Sequence, residues 1–240
     1  MEFSLILVRK SETQTKLNKL ALKKIESRGP DRTTETHLSP AAWFGFTRLT
    51  INGLDEASNQ PMYLEKTWMM CDGEIYNCHQ LQKEHGFEYY NKSDCEVILH
   101  LYHKFGFEET VKRLVGVFSI ALFDENKNVL YLANDRIGIR PLYWGFSGND
   151  KIGYKFFFAS EPSVLHTAGA KHIDFFTPGT ITRLDLFKKD SLKPLFHGEG
   201  SWRLANTGSY YFYNWKPEIS LKTHTLEQSS LRFVNYLNMP

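Results

Sequence analysis

The sequence predicts an α+β fold in which helices pack on antiparallel sheet. From residue 117 to residue 186, short segments rich in aromatic and β-branched residues alternate with polar turns, which is typical of strand hairpins. Two other stretches, 13–26 and 97–105, carry apolar residues at helical spacing. Because adjacent hairpin strands run in opposite directions, these observations together indicate helices covering an antiparallel sheet.

The individual elements follow from the same patterns. Strands are predicted at 3–8, 43–51, 67–71, 117–123, 129–134, 155–159 and 180–186. The helix over 13–26 ends at the Gly29-Pro30 break. A capping-box pattern, Ser93 followed by Glu96, predicts the start of the helix that continues to Phe105, and a short helix is predicted over 108–114.

Composition and charge exclude several classes of function. The 240 residues are 42% apolar, enough for a substantial core, and 29 basic against 27 acidic residues leave a formal charge of +2. A net charge this small produces only a weak electrostatic field around the protein, so binding to nucleic acid or to a membrane surface is not predicted. The first residues do not resemble a signal peptide, and no apolar run reaches the roughly 20 residues of a membrane span. The three cysteines lack metal-ligand spacing and fit a reducing compartment, so a cytoplasmic location is expected.

The composition changes after about residue 195. The segment 196–240 is predicted to be a connector or tail, with an aromatic cluster at 210–215 and a helix at 224–237. The aromatic cluster has no interleaved basic residues, which favours a hydrophobic docking strip over a platform for stacking bases. The segment 210–237 is therefore a candidate contact for a protein partner.

Seven motifs occur in an order that resembles a known family. They lie at 28–31, 44–51, 60–62, 73–77, 93–102, 135–143 and 160–161. Together they resemble the glutamine amidotransferase domain of asparagine synthetase, a class II amidotransferase with the N-terminal-nucleophile hydrolase fold. The resemblance covers most of residues 1–195. It implies a four-layer αββα sandwich of two antiparallel sheets flanked by helices, and a role in asparagine biosynthesis.

The resemblance also implies a catalytic residue that this sequence does not carry. The family uses an N-terminal cysteine, whose thiol attacks the glutamine amide while its own amino group acts as base. Here Glu2 or Phe3 stands at that position, so no intact catalytic residue is expected. Ser4 is interpreted as an ordinary strand residue. The cysteines, which lie at Cys71, Cys78 and Cys95, are interpreted as buried packing residues.

A second departure concerns the oxyanion hole. The family places an asparagine and a glycine there as hydrogen-bond donors, and this chain has Asp72 followed by Gly73. An ionised aspartate offers no donor. It could donate only if burial raised its pKa strongly. The alternative that Asp72 and Glu74 bind a metal is not favoured, because no nearby residues complete a ligand set, and no metal is predicted.

The residues that would hold glutamine are better preserved. The resemblance assigns the α-carboxylate to Arg48 and the α-ammonium to Asp94, and the pocket is lined by a set of neighbours: Leu49, Thr50, Ile51, Asn52, Asp72, Gly73 and Glu74. A surface arginine after a strand is the alternative for Arg48. An acid at a helix N-terminus is the alternative for Asp94.

Asp135, Arg136 and Arg140 are predicted to form an internal ion-pair cluster that fixes a turn beside Gly138 and Pro141.

The sequence therefore predicts an amidotransferase-like domain that at most binds L-glutamine and does not hydrolyse it. Two alternatives stay open: a protein-interaction module, or a fragment of a larger asparagine synthetase whose true start or end is missing. No cofactor is expected in this chain. No phosphate-binding glycine loop is present, and ATP and Mg²⁺ would belong to a synthetase domain that the sequence does not contain.

Overall fold

The described part of the chain contains fourteen strands, five α-helices and two short 3₁₀ turns. The computed structural model describes residues 2–7, 12–39, 42–51, 53, 55–149, 153–185, 194–197, 201–204 and 210–211. The strands are β1 Glu2–Leu7, β2 Arg32–Ser39, β3 Ala42–Arg48, β4 Met62–Leu64, β5 Thr67–Ile75, β6 Gly116–Asp124, β7 Val129–Asn134, β8 Tyr143–Asn149, β9 Gly153–Ala159, β10 His172–Phe175, β11 Thr180–Asp185, β12 Pro194–His197, β13 Ser201–Leu204 and β14 Tyr210–Tyr211. The helices are α1 Glu12–Leu22, α2 Cys78–His85, α3 Glu96–Phe105, α4 Phe107–Arg113 and α5 Pro162–Ala168.

Two six-stranded sheets form the centre of the molecule. The first has the strand order β10-β8-β9-β1-β3-β2 and the second β14-β11-β7-β6-β5-β4. Every paired strand in both sheets is antiparallel to its neighbour. Strand β1 lies at the centre of the first sheet, between β3 and β9, and approaches β5 of the second sheet.

Three apolar layers separate four layers of secondary structure. The middle one lies between the sheets and includes Phe44, Met70 and Phe156. A second lies between the first sheet and helices α1 and α5, and a third between the second sheet and helices α2 to α4. Because both faces of the central strands are covered, β3 is buried along its whole length. The predicted four-layer αββα sandwich is confirmed.

Several predicted elements have different limits in the structure. Strand β5, predicted to end at residue 71, continues to Ile75, so the Gly73-Glu74 motif lies on a strand and not in a turn. The first helix ends at Leu22 and is followed by a 3₁₀ turn. Strand β2 was not predicted because its residues are almost all polar, as suits the edge of the sheet.

The side chains of Ser93 and Glu96 do not form the hydrogen bonds of the capping box predicted at the start of α3, so this prediction is wrong. The Ser93 hydroxyl accepts a hydrogen bond from the Cys95 N–H at 3.3 Å and does not cap the Glu96 N–H. The Glu96 carboxylate instead accepts from the N–H groups of Tyr90, at 2.6 Å, and Asn91, at 2.9 Å. Glu96 therefore holds the preceding loop against the helix.

The region after residue 193 is described only in three short strands. Strands β12 and β13 pair with each other, and β14 pairs with β11 at the edge of the second sheet. The predicted helix at 224–237 and most of the predicted docking segment 210–237 lie outside the described residues. No helix in the described part of the chain has the length and apolar character needed to cross a membrane.

Candidate active site around Asp72

A buried glutamine fixes the backbone that enters the site. The Gln60 side chain donates to the Cys71 carbonyl at 3.0 Å and accepts from the Cys71 N–H at 2.6 Å. Gln60 is itself buried. Since Cys71 directly precedes Asp72, this pair of hydrogen bonds sets the position of the motif strand. The sequence analysis did not single out Gln60, although Gln60-Pro61-Met62 is one of the seven motifs.

Replacing Gln60 by leucine is expected to lower the free energy of unfolding by about 2–4 kcal/mol, because two buried backbone groups lose their partner. Urea denaturation of the two proteins measures this difference. The control is Gln80→Leu, which changes an exposed glutamine on α2 and is expected to shift stability by less than about 0.5 kcal/mol. Equal stability of the wild type and Gln60→Leu would contradict the role of this clamp.

Asp72 is a buried carboxylate, with 2% of its surface exposed. Burial raises its pKa to about 6, although nearby cations, Arg140 and Arg28 among them, act in the opposite direction. The Nη1 atom of Arg140 lies 3.8 Å from Oδ1 of Asp72. At pH 7 only about a tenth of such a group is protonated, so Asp72 acts mainly as an acceptor at the position where the family has a donor.

Gly73 can only be glycine in this fold. Its φ of +153° is rare for other residues, and an added Cβ would lie 2.0 Å from the carbonyl oxygen of Val117. Strands β5 and β6 thus approach too closely here for any side chain. The following residue, Glu74, is half-buried. No cluster of metal-binding side chains is found among the described residues around either carboxylate.

Arg48 is buried and holds a neighbouring turn. Its guanidinium donates to the Asn59 side-chain oxygen at 2.7 Å, to the Asp55 carbonyl at 3.3 Å and to the Gly53 carbonyl. The alternative of a surface arginine is therefore wrong. Contact with a ligand carboxylate stays a prediction, and the structure adds a role in fixing the turn at 53–59.

The residues after Arg48 form an exposed edge. Leu49 and Ile51 are 41% and 52% exposed, and Thr50 is half-buried. The Thr50 N–H donates to the Asp31 carboxylate at 2.7 Å, which anchors this edge to the 28–31 motif. Asn52 lies outside the described residues.

Asp94 contacts the far end of the motif strand. Its Oδ2 atom accepts a hydrogen bond from the Ile75 N–H at 2.6 Å, and the residue is half-buried. This hydrogen bond places Asp94 beside the short length of β5 that carries Asp72, Gly73 and Glu74. A role in binding an ammonium group stays a prediction for Asp94.

The turn at 55–60 connects Arg48 with the motif strand β5 and with the segment that precedes α3. Its Asn59 contacts Arg48, its Gln60 contacts the motif strand, and the Ser58 hydroxyl accepts from the Lys92 N–H at 3.2 Å beside Asp94. Arg48, the motif strand and the start of α3 are therefore joined by one connected network. This arrangement requires residues far apart in the sequence and could not be derived from spacing.

The Asp135 carboxylate, for which ion pairs were predicted, is held by backbone hydrogen bonds. The Asp135 carboxylate accepts from the backbone N–H groups of Ile137, Ile139 and Arg140, at 3.0–3.1 Å, and from that of Phe118 at 3.2 Å. Backbone donors thus bind the Asp135 carboxylate, and the ion pair that Arg140 makes in the described structure is with Asp72 and not with Asp135. The turn places the Arg140 side chain beside Asp72.

The three cysteines are buried, as predicted. The contact of the Cys71 thiol with Cys95, together with burial, raises the pKa of Cys71 well above its usual range, and burial also raises that of Cys78. A thiol with a raised pKa is a poor nucleophile at neutral pH. These positions therefore show no sign of an activated cysteine.

Comparison with known proteins identifies the family to which the chain belongs. A family model described as a glutamine amidotransferase domain matches residues 4–175. The asparagine synthetase [glutamine-hydrolyzing] of Gallus gallus is 36% identical over 178 residues, which cover 70% of this chain and 31% of that protein. A probable asparagine synthetase [glutamine-hydrolyzing] of Acanthamoeba polyphaga mimivirus is 32% identical over 71% of this chain and 31% of its own length. The chain thus spans about a third of these relatives.

Solved structures agree on the fold. The glutamine phosphoribosylpyrophosphate amidotransferase from B. subtilis, complexed with ADP and GMP, matches 89% of this chain and 49% of its own with a TM-score of 0.64 and 18% sequence identity. The fold and the motif strand define a class II amidotransferase domain of the N-terminal-nucleophile hydrolase type. The family model covers well over half of the chain, and the chain belongs to the glutamine amidotransferase family.

Proposed function

We propose that this domain binds L-glutamine beside β5 and hydrolyses it far more slowly than a working amidotransferase. The observation that carries the proposal is the buried Asp72 carboxylate, which is mostly ionised at neutral pH. During amide hydrolysis the carbonyl oxygen becomes negative and needs donors. Losing one such donor costs about 3–4 kcal/mol, or roughly a hundred- to a thousandfold in rate.

The distribution of thiols supports the same proposal. Strand β1, where the family's nucleophile would lie, contains no cysteine between Glu2 and Leu7. The chain's three cysteines lie elsewhere and are buried. In the sequence given, β1 therefore offers no thiol for the covalent step of the family mechanism.

The binding half of the proposal rests on Asp94 and its surroundings. A half-buried carboxylate beside a rigid strand suits the α-ammonium of an amino acid, and Arg48 lies in the network that includes this strand. The curated relatives are named as glutamine-hydrolysing asparagine synthetases, so the proposed context is asparagine biosynthesis in the cytoplasm. The proposed binding uses no cofactor; ATP and Mg²⁺ would act on a separate synthetase domain.

Replacing Asp94 by asparagine is expected to weaken glutamine binding about tenfold or more, because the variant loses the charge that faces the ammonium group. The asparagine side-chain oxygen can still accept from the Ile75 N–H, so the fold should persist. Titration calorimetry at pH 7.5 with L-glutamine measures the affinity of both proteins. The matched control is Asp174→Asn, an exposed aspartate that also accepts a backbone N–H.

Two results would contradict the proposed function. One is the absence of saturable heat when glutamine is titrated into the wild type. The other is release of ammonia from glutamine at a rate near the roughly 10 s⁻¹ typical of enzymes. Equal affinities in the wild type and Asp94→Asn would remove Asp94 from the binding site but leave glutamine binding itself in place.

A further inference from the structure

A cavity of about 330 Å³ opens beside β4, the edge strand of the second sheet. It is bordered by the turn at 55–60, by β4, by the loop that leads into α3 and by α3 itself. None of its described lining residues is among those assigned to glutamine. Its volume lies at the lower end of the range for ligand pockets, about 300–1,000 Å³, so it suits a small ligand or a single side chain.

The closed end of the cavity combines apolar side chains with one carboxylate. It is formed by the buried members of the lining, which are Met62, Glu96 and Leu99. The Glu96 carboxylate accepts from the N–H groups of Tyr90 and Asn91. The Nε2 atom of His100 lies 3.3 Å from its Oε1 atom. Because an ionised carboxylate has about four acceptor positions, Glu96 keeps about one of them for a donor inside the cavity.

Two exposed tyrosines border the mouth of the cavity. Tyr63 and Tyr90 both line it and are 52% and 77% exposed. The Tyr63 ring packs against Trp68, with the ring centroids 4.5 Å apart. The Tyr90 ring stacks on His100 at 6.4 Å, with 15° between the ring planes. Since a neighbouring ring holds each tyrosine on one side, both are positioned before a ligand arrives, which lowers the cost of binding.

The charge of the lining favours a cation. Glu65 adds a second carboxylate at the mouth, and the described residues that line the cavity include no lysine and no arginine. Its side chain is 73% exposed, and its Oε2 atom lies 3.6 Å from Nδ1 of His103. Two carboxylates and two aromatic rings repel an anion and attract a cation. A guanidinium fits best, because it is planar, stacks on aromatic faces and carries five N–H donors.

We infer that this cavity binds an alkylguanidinium group, the chemistry that small guanidino amines share with the arginine side chain. The guanidinium donates to Glu96 and stacks on Tyr90, whose own N–H binds the same carboxylate. Tyr63 and Glu65 contact the alkyl chain and any second positive charge at the mouth. The inference goes beyond the proposed function and does not depend on it.

Agmatine, a small alkylguanidinium that also carries an ammonium group, is the probe. It is titrated into isotope-labelled protein at pH 7.5 in about 150 mM salt, which screens non-specific attraction. The backbone amide resonances of Tyr90 and Asn91 should shift saturably, with a Kd of about 1 mM or tighter, because these amides bind the Glu96 carboxylate. N-carbamoylputrescine, in which a neutral urea replaces the guanidinium, should bind at least about fivefold more weakly.

Two variants test the mouth of the cavity. Tyr90→Ala should weaken agmatine binding about fivefold, because the stacked ring is lost. Glu65→Gln should weaken it about threefold, because a charge is lost. Both side chains are exposed, so both variants should fold. The matched control is Tyr76→Ala, which removes a tyrosine that is 62% exposed and does not line the cavity, and it should leave agmatine affinity unchanged.

A blocked tripeptide, acetyl-Ala-Arg-Ala-amide, distinguishes the two sources of the group. If it binds about as tightly as agmatine, the cavity accepts an arginine side chain of a peptide; if only agmatine binds, the ligand is a free guanidino amine. Either result supports the inference. It is overturned if neither probe produces saturable shifts, if agmatine and N-carbamoylputrescine bind equally, or if both Tyr90→Ala and Glu65→Gln bind agmatine as the wild type does. None of these results bears on glutamine binding, which is titrated separately.

Discussion

Replacing Gly73 by alanine is expected to destabilise the domain by about 4 kcal/mol or more, enough to prevent stable folding of many domains of this size. The added Cβ would lie 2.0 Å from the Val117 carbonyl oxygen and 2.7 Å from the Phe118 Cα. Both obstacles are backbone atoms of a paired strand, so relief requires β5 and β6 to separate. Circular dichroism and urea denaturation of the purified variant measure the loss.

A second glycine provides a matched control. Gly86, at the end of α2, has a φ of +67°, and an added Cβ there would meet no atom within 4 Å. Gly86→Ala therefore carries only the conformational cost of a left-handed residue, about 1–2 kcal/mol. If Gly73→Ala proved no more damaging than Gly86→Ala, the close approach of β5 and β6 would not be a real constraint on the motif.

Asp72→Asn is expected to stabilise the fold at neutral pH by about 3 kcal/mol. The pKa of Asp72 is raised from 3.8 to about 6 in the folded protein, and each unit corresponds to about 1.4 kcal/mol. Between these two values the folded state binds the proton that the unfolded state releases. The contribution of Asp72 to stability is therefore complete below pH 3.8 and is lost as the pH rises through 6. Asparagine stays neutral throughout and avoids this loss.

The difference between the two proteins isolates this effect from all other titrating groups. Urea denaturation at several pH values from 4 to 8 should show that the stability gain of Asp72→Asn is near zero at pH 4 and reaches its full size by about pH 7. The exposed Asp174→Asn variant should differ from the wild type by a small, constant amount. A gain for Asp72→Asn that did not depend on pH would show that the carboxylate keeps an ordinary pKa.

Local sequence patterns predicted much of the fold. The hairpins from β6 to β9 consist of apolar runs bounded by turns, and α3 has a clear apolar face. Elements without such patterns were missed. Strand β2 is polar because it lies at a sheet edge. Helix α5 begins at Pro162 and has only 7 residues, too few for its apolar spacing to indicate a helix. Strand β5 is longer than predicted because a glycine in a sequence usually indicates a turn. Here Gly73 lies inside the strand and allows β5 and β6 to approach closely.

The site was predicted at the level of motifs and not of contacts. Asp72 and Gly73 could be identified by resemblance, and their neighbourhood in the structure is consistent with that assignment. The partners of Arg48 and the clamp by Gln60 could not be predicted, because they depend on how the turn at 55–60 packs against two other segments. The close approach of β5 and β6 at Gly73 depends on strand register, which only the complete sheet determines.

The pairing of β14 with β11 affects where the folded unit can be cut. Tyr210 and Tyr211 cover the backbone of Thr180 and Ile181 at one margin of the second sheet. In a shortened protein that stopped at residue 195, the N–H and C=O groups of β11 that pair with β14 would be free to pair with strands of other molecules. Removing the segment that composition predicts to be a connector or tail would therefore favour intermolecular β-pairing and lower the solubility of the domain.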